Sequence, residues 1–254
     1  MELDLFTCII LVFFGLISSF INATVGGGGL ISLPALLSLG LPPSTAIATN
    51  KLAATMGNLT STLTFFKAGK VDVKLMGPIV PFVFAFSMLG AFTVHLLDSE
   101  ILKPLIIIML VVVLVYTLLN KNWGSVEDRK AINWKTGTLF FGGLILLGFY
   151  DGFFGPGTGS FMIFAFLLMG FDFLQAAGNA KLLNFTSNIS ALIMFIFLGE
   201  VLFLYGIIMG ISMMIGAFIG TKFALKRGTT FVRILFIVMT VVLIAKNTYD
   251  YFFG

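Results

Sequence analysis

Ala23-Thr24-Val25-Gly26-Gly27-Gly28-Gly29 interrupts a long apolar run, and 130 residues further on Phe153-Phe154-Gly155-Pro156-Gly157-Thr158-Gly159 interrupts another. The same offset holds without a gap beyond the glycines: Gly40, Lys51, Leu52, Asn58, Phe65, Gly69 and Val71 recur as Gly170, Lys181, Leu182, Asn188, Phe195, Gly199 and Val201. Lys103 meets Arg233 at that offset, and Gly90-Ala91-Phe92 meets Gly216-Ala217-Phe218 at a slightly shorter one. About a dozen identities over the roughly fifty positions from Asn22 to Val71 exceed chance even in an apolar composition, so the chain reads as an internal duplication. Duplicated apolar segments around paired glycine breaks are the pattern of a transporter with its site between two halves.

Composition identifies the solvent. Hydrophobic residues make up 59% and charged residues 10% of the 254, with a mean hydropathy of +1.10, unlike any soluble domain. Residues 5–41 carry no charge, a run longer than the roughly 20 residues that span a bilayer. The fold class expected is all-α: a polytopic membrane protein of two homologous repeats, each of about five helical segments, with glycine-broken helices at mid-membrane. The segments are expected near 5–24, 28–40, 44–66, 75–97 and 101–119, then 136–154, 158–170, 174–197, 202–221 and 231–249. Residues 120–135, with Glu127, Asp128, Arg129 and Lys130, form the only long polar connection. The division that follows is a first transmembrane repeat over 1–120, a cytoplasmic linker over 121–135 and a second repeat over 136–254. Glu2 and Asp4 open the first run where a signal peptide would be basic, so it reads as a permanent helix. Cys8 is the single cysteine, which excludes an internal disulfide framework. The net charge of +4 reports cytoplasmic loops in such a chain, not nucleic-acid binding.

Charge bias at matched loops speaks to orientation. Lys67, Lys70 and Lys74 follow the third segment, whereas the matching connection carries only Glu200. After the fourth segment the first half is balanced, with His95, Asp98, Glu100 and Lys103, and the second is basic, with Lys222, Lys226, Arg227 and Arg233. The positive-inside tendency then favours inverted repeats with both termini outside. If the short second segment is re-entrant, the repeats become parallel; inversion is the favoured reading. Trp123 and Trp134 flank the linker as belt residues do, and His95 reads as interfacial.

The chemistry concentrates at the breaks and on the third segment of each half. Glycines and Pro156 free backbone amides at the start of the following short helix, and such amides attract anions. The candidate donors are Gly27, Gly28, Gly29, Gly157 and Gly159, with Thr24 and Thr158 beside them. Lys51, Thr55 and Asn58 sit at i, i+4 and i+7, as do Lys181, Phe185 and Asn188, so each lysine shares a helical face with an asparagine. Lysines inside apolar runs are costly and therefore functional candidates, although each could snorkel to the interface. Lys51 and Lys181 are the expected cationic contacts of a small anion, with Asn50, Asn58, Asn179 and Asn188 as polar neighbours. Asp151 has no acidic counterpart, because Ile21 aligns with it. It reads as a proton carrier for coupling or as a counter-ion to a lysine, against a turn role beside Gly152.

These motifs carry a family resemblance. Ala23 to Gly29 with Pro34 and Ala48-Thr49-Asn50-Lys51, and then Asp151-Gly152-Phe153-Phe154-Gly155-Pro156-Gly157-Thr158-Gly159-Ser160-Phe161, resemble the TauE/SafE family of membrane permeases, also grouped as toluenesulfonate uptake permeases. The resemblance covers nearly the whole chain, and its second motif is the more specific. It implies a multi-pass transporter of the bacterial inner membrane that moves sulfite, sulfonates or sulfoacetate, commonly outward. Three alternatives stand beside it: a passive anion channel using the same charges, a carrier of a non-sulfur organic anion, and a membrane enzyme, for which one histidine, one cysteine and one buried-looking aspartate are a poor inventory. No catalytic residue, metal or cofactor is expected. The partners expected are a small anionic substrate and the lipid bilayer, with no nucleic acid; a homodimer is compatible with the sequence.

Overall fold

The computed structural model describes residues 4–98, residues 100, 101, 104 and 108, and residues 134–227. Among these the chain is helical and contains no strand. The helices are α1 (Leu5–Val25), α2 (Gly29–Ser38), α3 (Pro43–Lys67), α4 (Val73–Met76), α5 (Val80–His95), α6 (Trp134–Phe153), α7 (Thr158–Leu168), α8 (Phe173–Phe197) and α9 (Phe203–Arg227). The segments expected near 101–119 and 231–249, nearly all of the 121–135 linker, and Lys103, Trp123 and Arg233 lie outside the described residues.

Local chemistry starts and stops these helices. Asp4 caps α1 by accepting from the Thr7 amide at 2.8 Å, and Asp172 caps α8 by accepting from the Leu174 and Gln175 amides at 2.8 and 3.0 Å. Pro43 opens α3, where its missing N–H costs nothing. The segment expected at 75–97 is divided: α4 closes at Met76 and α5 begins only at Val80. Pro78 lies between them, offers no N–H and disfavours helix in the residue before it.

Among the described residues, four helices are long and apolar enough to cross a membrane: Leu5–Val25, Thr136–Phe153, Phe173–Phe197 and Phe203–Lys226. Their outward faces are aliphatic and aromatic, as at Phe6, Ile9 and Phe13 on α1 and Leu204, Ile211 and Phe218 on α9, a surface suited to lipid. The 10 residues of α2 reach only about 15 Å, half of a hydrocarbon core. α2 is instead buried from Leu30 to Leu36.

Helices from the two ends of the chain interleave. α1 packs along α9, α5 along α6, and α3 along both α8 and α9, while α8 also packs against α5. One apolar cluster gathers Leu11, Ile21, Leu33, Phe195, Met209 and Met213; another gathers Phe65, Val83, Phe140, Met162, Phe166 and Leu183.

Candidate functional site

α1 ends where Gly26 adopts φ 85 and donates its N–H to Asn22 O, a left-handed closure that glycine makes without a Cβ penalty. The chain then turns through Gly27 and Gly28, and Leu30 and Ile31 donate back to the Gly27 and Gly28 carbonyls at 3.1 and 2.9 Å. Ser18 Oγ, on α1, donates to Gly28 O at 2.8 Å and holds the turn against the helix it left. In the second interruption α6 ends at Phe153 and α7 begins at Thr158. The two interruptions touch. Ser160 Oγ donates to Val25 O at 2.7 Å, and a Cβ on Gly159 would come within 2.8 Å of Gly26 Cα.

α3 and α6 bring charge to this junction. Lys51 Nζ lies 3.0 Å from Asp151 Oδ1 and also donates to the Asp151 carbonyl. The other carboxylate oxygen, Oδ2, accepts from Ser187 Oγ and from Asn188 Nδ2 at 3.0 Å. Lys51 is 1% and Asp151 3% exposed, so the pair is removed from solvent on both sides. Such a pair persists only when its remaining donors and acceptors are also satisfied, which Ser187 and Asn188 accomplish. Asn22 Nδ2 donates to Asn58 Oδ1 at 2.9 Å nearby, tying α1 to α3. Lys51, Asp151, Asn58 and Asn188 face a cavity also lined by Asn50, Asn184 and the glycines 26, 28, 29, 155 and 159. Its volume is about 30 Å³; one water needs roughly 10–15 Å³ on that measure, so there is room for about two.

Comparison with known proteins places the family. The family described as Sulfite exporter TauE/SafE matches residues 11–247. The chain belongs to the TauE/SafE family. This TauE/SafE protein is 38% identical to a probable membrane transporter protein of Haemophilus influenzae, over 98% of each chain. It is 36% identical to the probable membrane transporter protein ORF9 of a Sinorhizobium species, over 92% of this chain and 89% of the relative. With the probable membrane transporter protein YfcA of Escherichia coli it shares 35% identity over 95% of this chain and 89% of the relative. No solved structure matches it.

Other residues singled out in the sequence of this TauE/SafE chain, Asn50 excepted, lie apart from the cavity lining. Lys181 is fully buried, and its Nζ has no hydrogen-bond partner among the described residues. At the offset of 130, Asp151 corresponds to Ile21, itself 0% exposed, so the duplicated position offers Lys181 no carboxylate. Asn179 lines a separate depression with Lys70, Lys74 and Gln175, and its Oδ1 accepts from the Asp72 amide at 2.8 Å. Thr24 Oγ1 donates to Ile21 O at 2.9 Å and Thr158 Oγ1 to Gly155 O at 2.7 Å, so both hydroxyls serve local turns. Gly27 and Gly157 shape the interruptions without lining the cavity. Asn50 lines it, with an Oδ1 that has no partner among the described residues.

Six polar lining or pairing residues are absent from the site expected from sequence: Ser18, Ser19, Asn22, Ser32, Asn184 and Ser187. Ser18 and Asn22 are one turn apart on α1 and were detectable as the polar face of an otherwise apolar helix. His95, at the end of α5, pairs with Glu200 at 2.9 Å, a contact between the loop after the fourth segment of one half and the loop after the third segment of the other that neither loop reveals alone.

Proposed function

We propose that this protein is a secondary transporter that carries a small anion, sulfite or an organosulfonate foremost, across the bacterial plasma membrane by alternating access. As a membrane transporter of the TauE/SafE family it needs a site that both sides can reach in turn. The observation that carries the reading is the Lys51 ammonium, buried at the meeting of two glycine interruptions with asparagine amides around it. Ammonium, amides and helix starts are the groups a compact oxyanion requires. The family's description names sulfite exporters, which supports a sulfur oxyanion.

Several observations support two repeats arranged about a pseudo-two-fold. α3 spans Pro43–Lys67 and α8 spans Phe173–Phe197, the same bounds shifted by 130. The contacts Gly26 with Gly159 and Gly29 with Pro156 exchange into one another under that shift. α1 on α9 and α6 on α5 are likewise exchanged. Together with opposite charge at matched loops, this supports inverted repeats, multi-pass insertion and a site on the axis where α3 meets α8. A cavity of about 30 Å³ is smaller than a sulfonate needs, so loading requires movement, which favours alternating access over a standing pore. Lys51 would serve as the cationic contact, Asn58 and Asn188 as polar contacts, Gly28, Gly29 and Gly159 as backbone donors, and Asp151 as the coupling group.

Flux of labelled sulfite into proteoliposomes tests this. Lys51→Ala is expected to lower the rate or the affinity at least tenfold; unchanged rate and affinity would reject a lysine-centred anion site.

A further inference from the structure

The protein supplies Lys51 with an anion of its own. The Asp151 carboxylate takes the Lys51 ammonium through Oδ1 and the Ser187 hydroxyl and Asn188 amide through Oδ2. Those donors are what a small oxyanion entering the cavity would use, since Lys51 and Asn188 both line it. The geometry points to Asp151 as a tethered competitor of the transported anion, displaced from Lys51 only when it takes up a proton, so that one proton is loaded with each anion. This rests on the anion-transport reading above and specifies its coupling.

Charge balance requires the exchange. At rest the ammonium and carboxylate, both almost wholly buried, sum to zero. A monoanion arriving alone would leave a carboxylate and an anion competing for one ammonium, an uncompensated buried charge. A proton from the aqueous side, placed on an Asp151 carboxyl oxygen, restores neutrality. Lys51 keeps its own proton and passes from the carboxylate to the anion, while the neutral carboxyl can still accept from Ser187 and Asn188. Release on the far side reverses each step.

Among the described residues, no other charged group near Asp151 takes over this role. α3 presents Lys51, and α8 presents Lys181, which neither lines the cavity nor bonds to any group in it. On α6 itself Tyr150 donates its hydroxyl to Pro156 O at 2.8 Å. α5 presents Ser87, bonded to Ser187 O, and has no charged side chain before His95 at its end. α7 carries none, and α1 none after its cap Asp4.

The test uses the full-length protein in proteoliposomes enclosing a pH-sensitive dye. Labelled methanesulfonate, whose charge is fixed across the working range, and labelled sulfite serve as probes. An inward gradient of methanesulfonate is expected to acidify the lumen by one proton per anion counted. In Asp151→Asn anion flux persists without acidification, and half-saturating methanesulfonate falls roughly tenfold, as expected on removing a charge-assisted competitor. Anion flux without acidification in the wild type, or acidification retained in Asp151→Asn, overturns the proposal and leaves anion transport standing. If neither anion binds or moves in the wild type, the transport reading fails with it. Should Asp151→Asn not fold, the wild type in weakly buffered detergent decides: binding measured by heat must withdraw protons from solution, and binding without withdrawal overturns the coupling.

Discussion

Lys51 and Lys181 occupy the same place in the repeated sequence and have different surroundings in the fold, which separates what their replacement should do. Lys51→Ala strands the Asp151 carboxylate at 3% exposure and should destabilise by about 3–5 kcal/mol, read as a large fall in melting temperature in detergent. Replacing both partners, as Lys51→Met with Asp151→Leu, should recover most of that loss while leaving anion flux absent. Lys181→Met keeps the apolar stem and deletes an ammonium with no hydrogen-bond partner among the described residues, so stability should hold or rise by about 1 kcal/mol. Equal destabilisation of Lys51→Ala and Lys181→Met would contradict the inequivalence of the two sites. At this scale the sequence was partly legible. A lysine or aspartate inside an apolar run stands out, so Lys51, Lys181 and Asp151 were identifiable. Which lysine holds the carboxylate depends on how α3 crosses α6, and no spacing within either helix encodes that. Ser18 and Asn22 were passed over because single small polar residues in a membrane helix serve equally as contacts between helices.

Among the elements, the interruption after α1 tolerates least. Gly26 has φ 85 and its absent Cβ would run into the backbone of Gly159 and Ser160. Gly69 has a similar φ of 68 with nothing within 4 Å of where a Cβ would stand. Gly69→Ala should therefore cost only the left-handed backbone penalty, about 1–2 kcal/mol, whereas Gly26→Ala adds a clash that must separate the interruptions. Thermal unfolding of both variants should rank Gly26→Ala well below Gly69→Ala; the reverse order would mean the contact with Gly159 bears no load. Element bounds followed hydrophobic length and punctuation closely, as with α3, expected at 44–66 and found at Pro43–Lys67. The break between α4 and α5 was missed because Gly77-Pro78 lies in an apolar stretch whose length alone satisfies a span.

Across the whole molecule the interleaving of α1 with α9 and α5 with α6 makes each end of the chain the packing partner of the other. A chain divided within residues 121–135 should reassemble when its two pieces are co-expressed, and neither piece should purify alone as a stable helical body; a stable isolated 1–120 fragment would refute the dependence. Membrane class was readable from composition, because it is a property of the whole sequence. The interleaving was not, since the repeat gives the equivalence of parts without the way they interlock.

The Lys51–Asp151 pair also has a history within each molecule's synthesis. Its partners are 100 residues apart, and at about 5–20 residues per second a ribosome needs roughly 5–20 s to deliver the carboxylate after the lysine. During that interval α3 carries an ammonium with no counter-ion, and the Val25 carbonyl waits for Ser160, 135 residues later. The nascent first half must therefore rest where water or the insertion machinery can hold Lys51, and α3 can seat itself only after α6 has arrived.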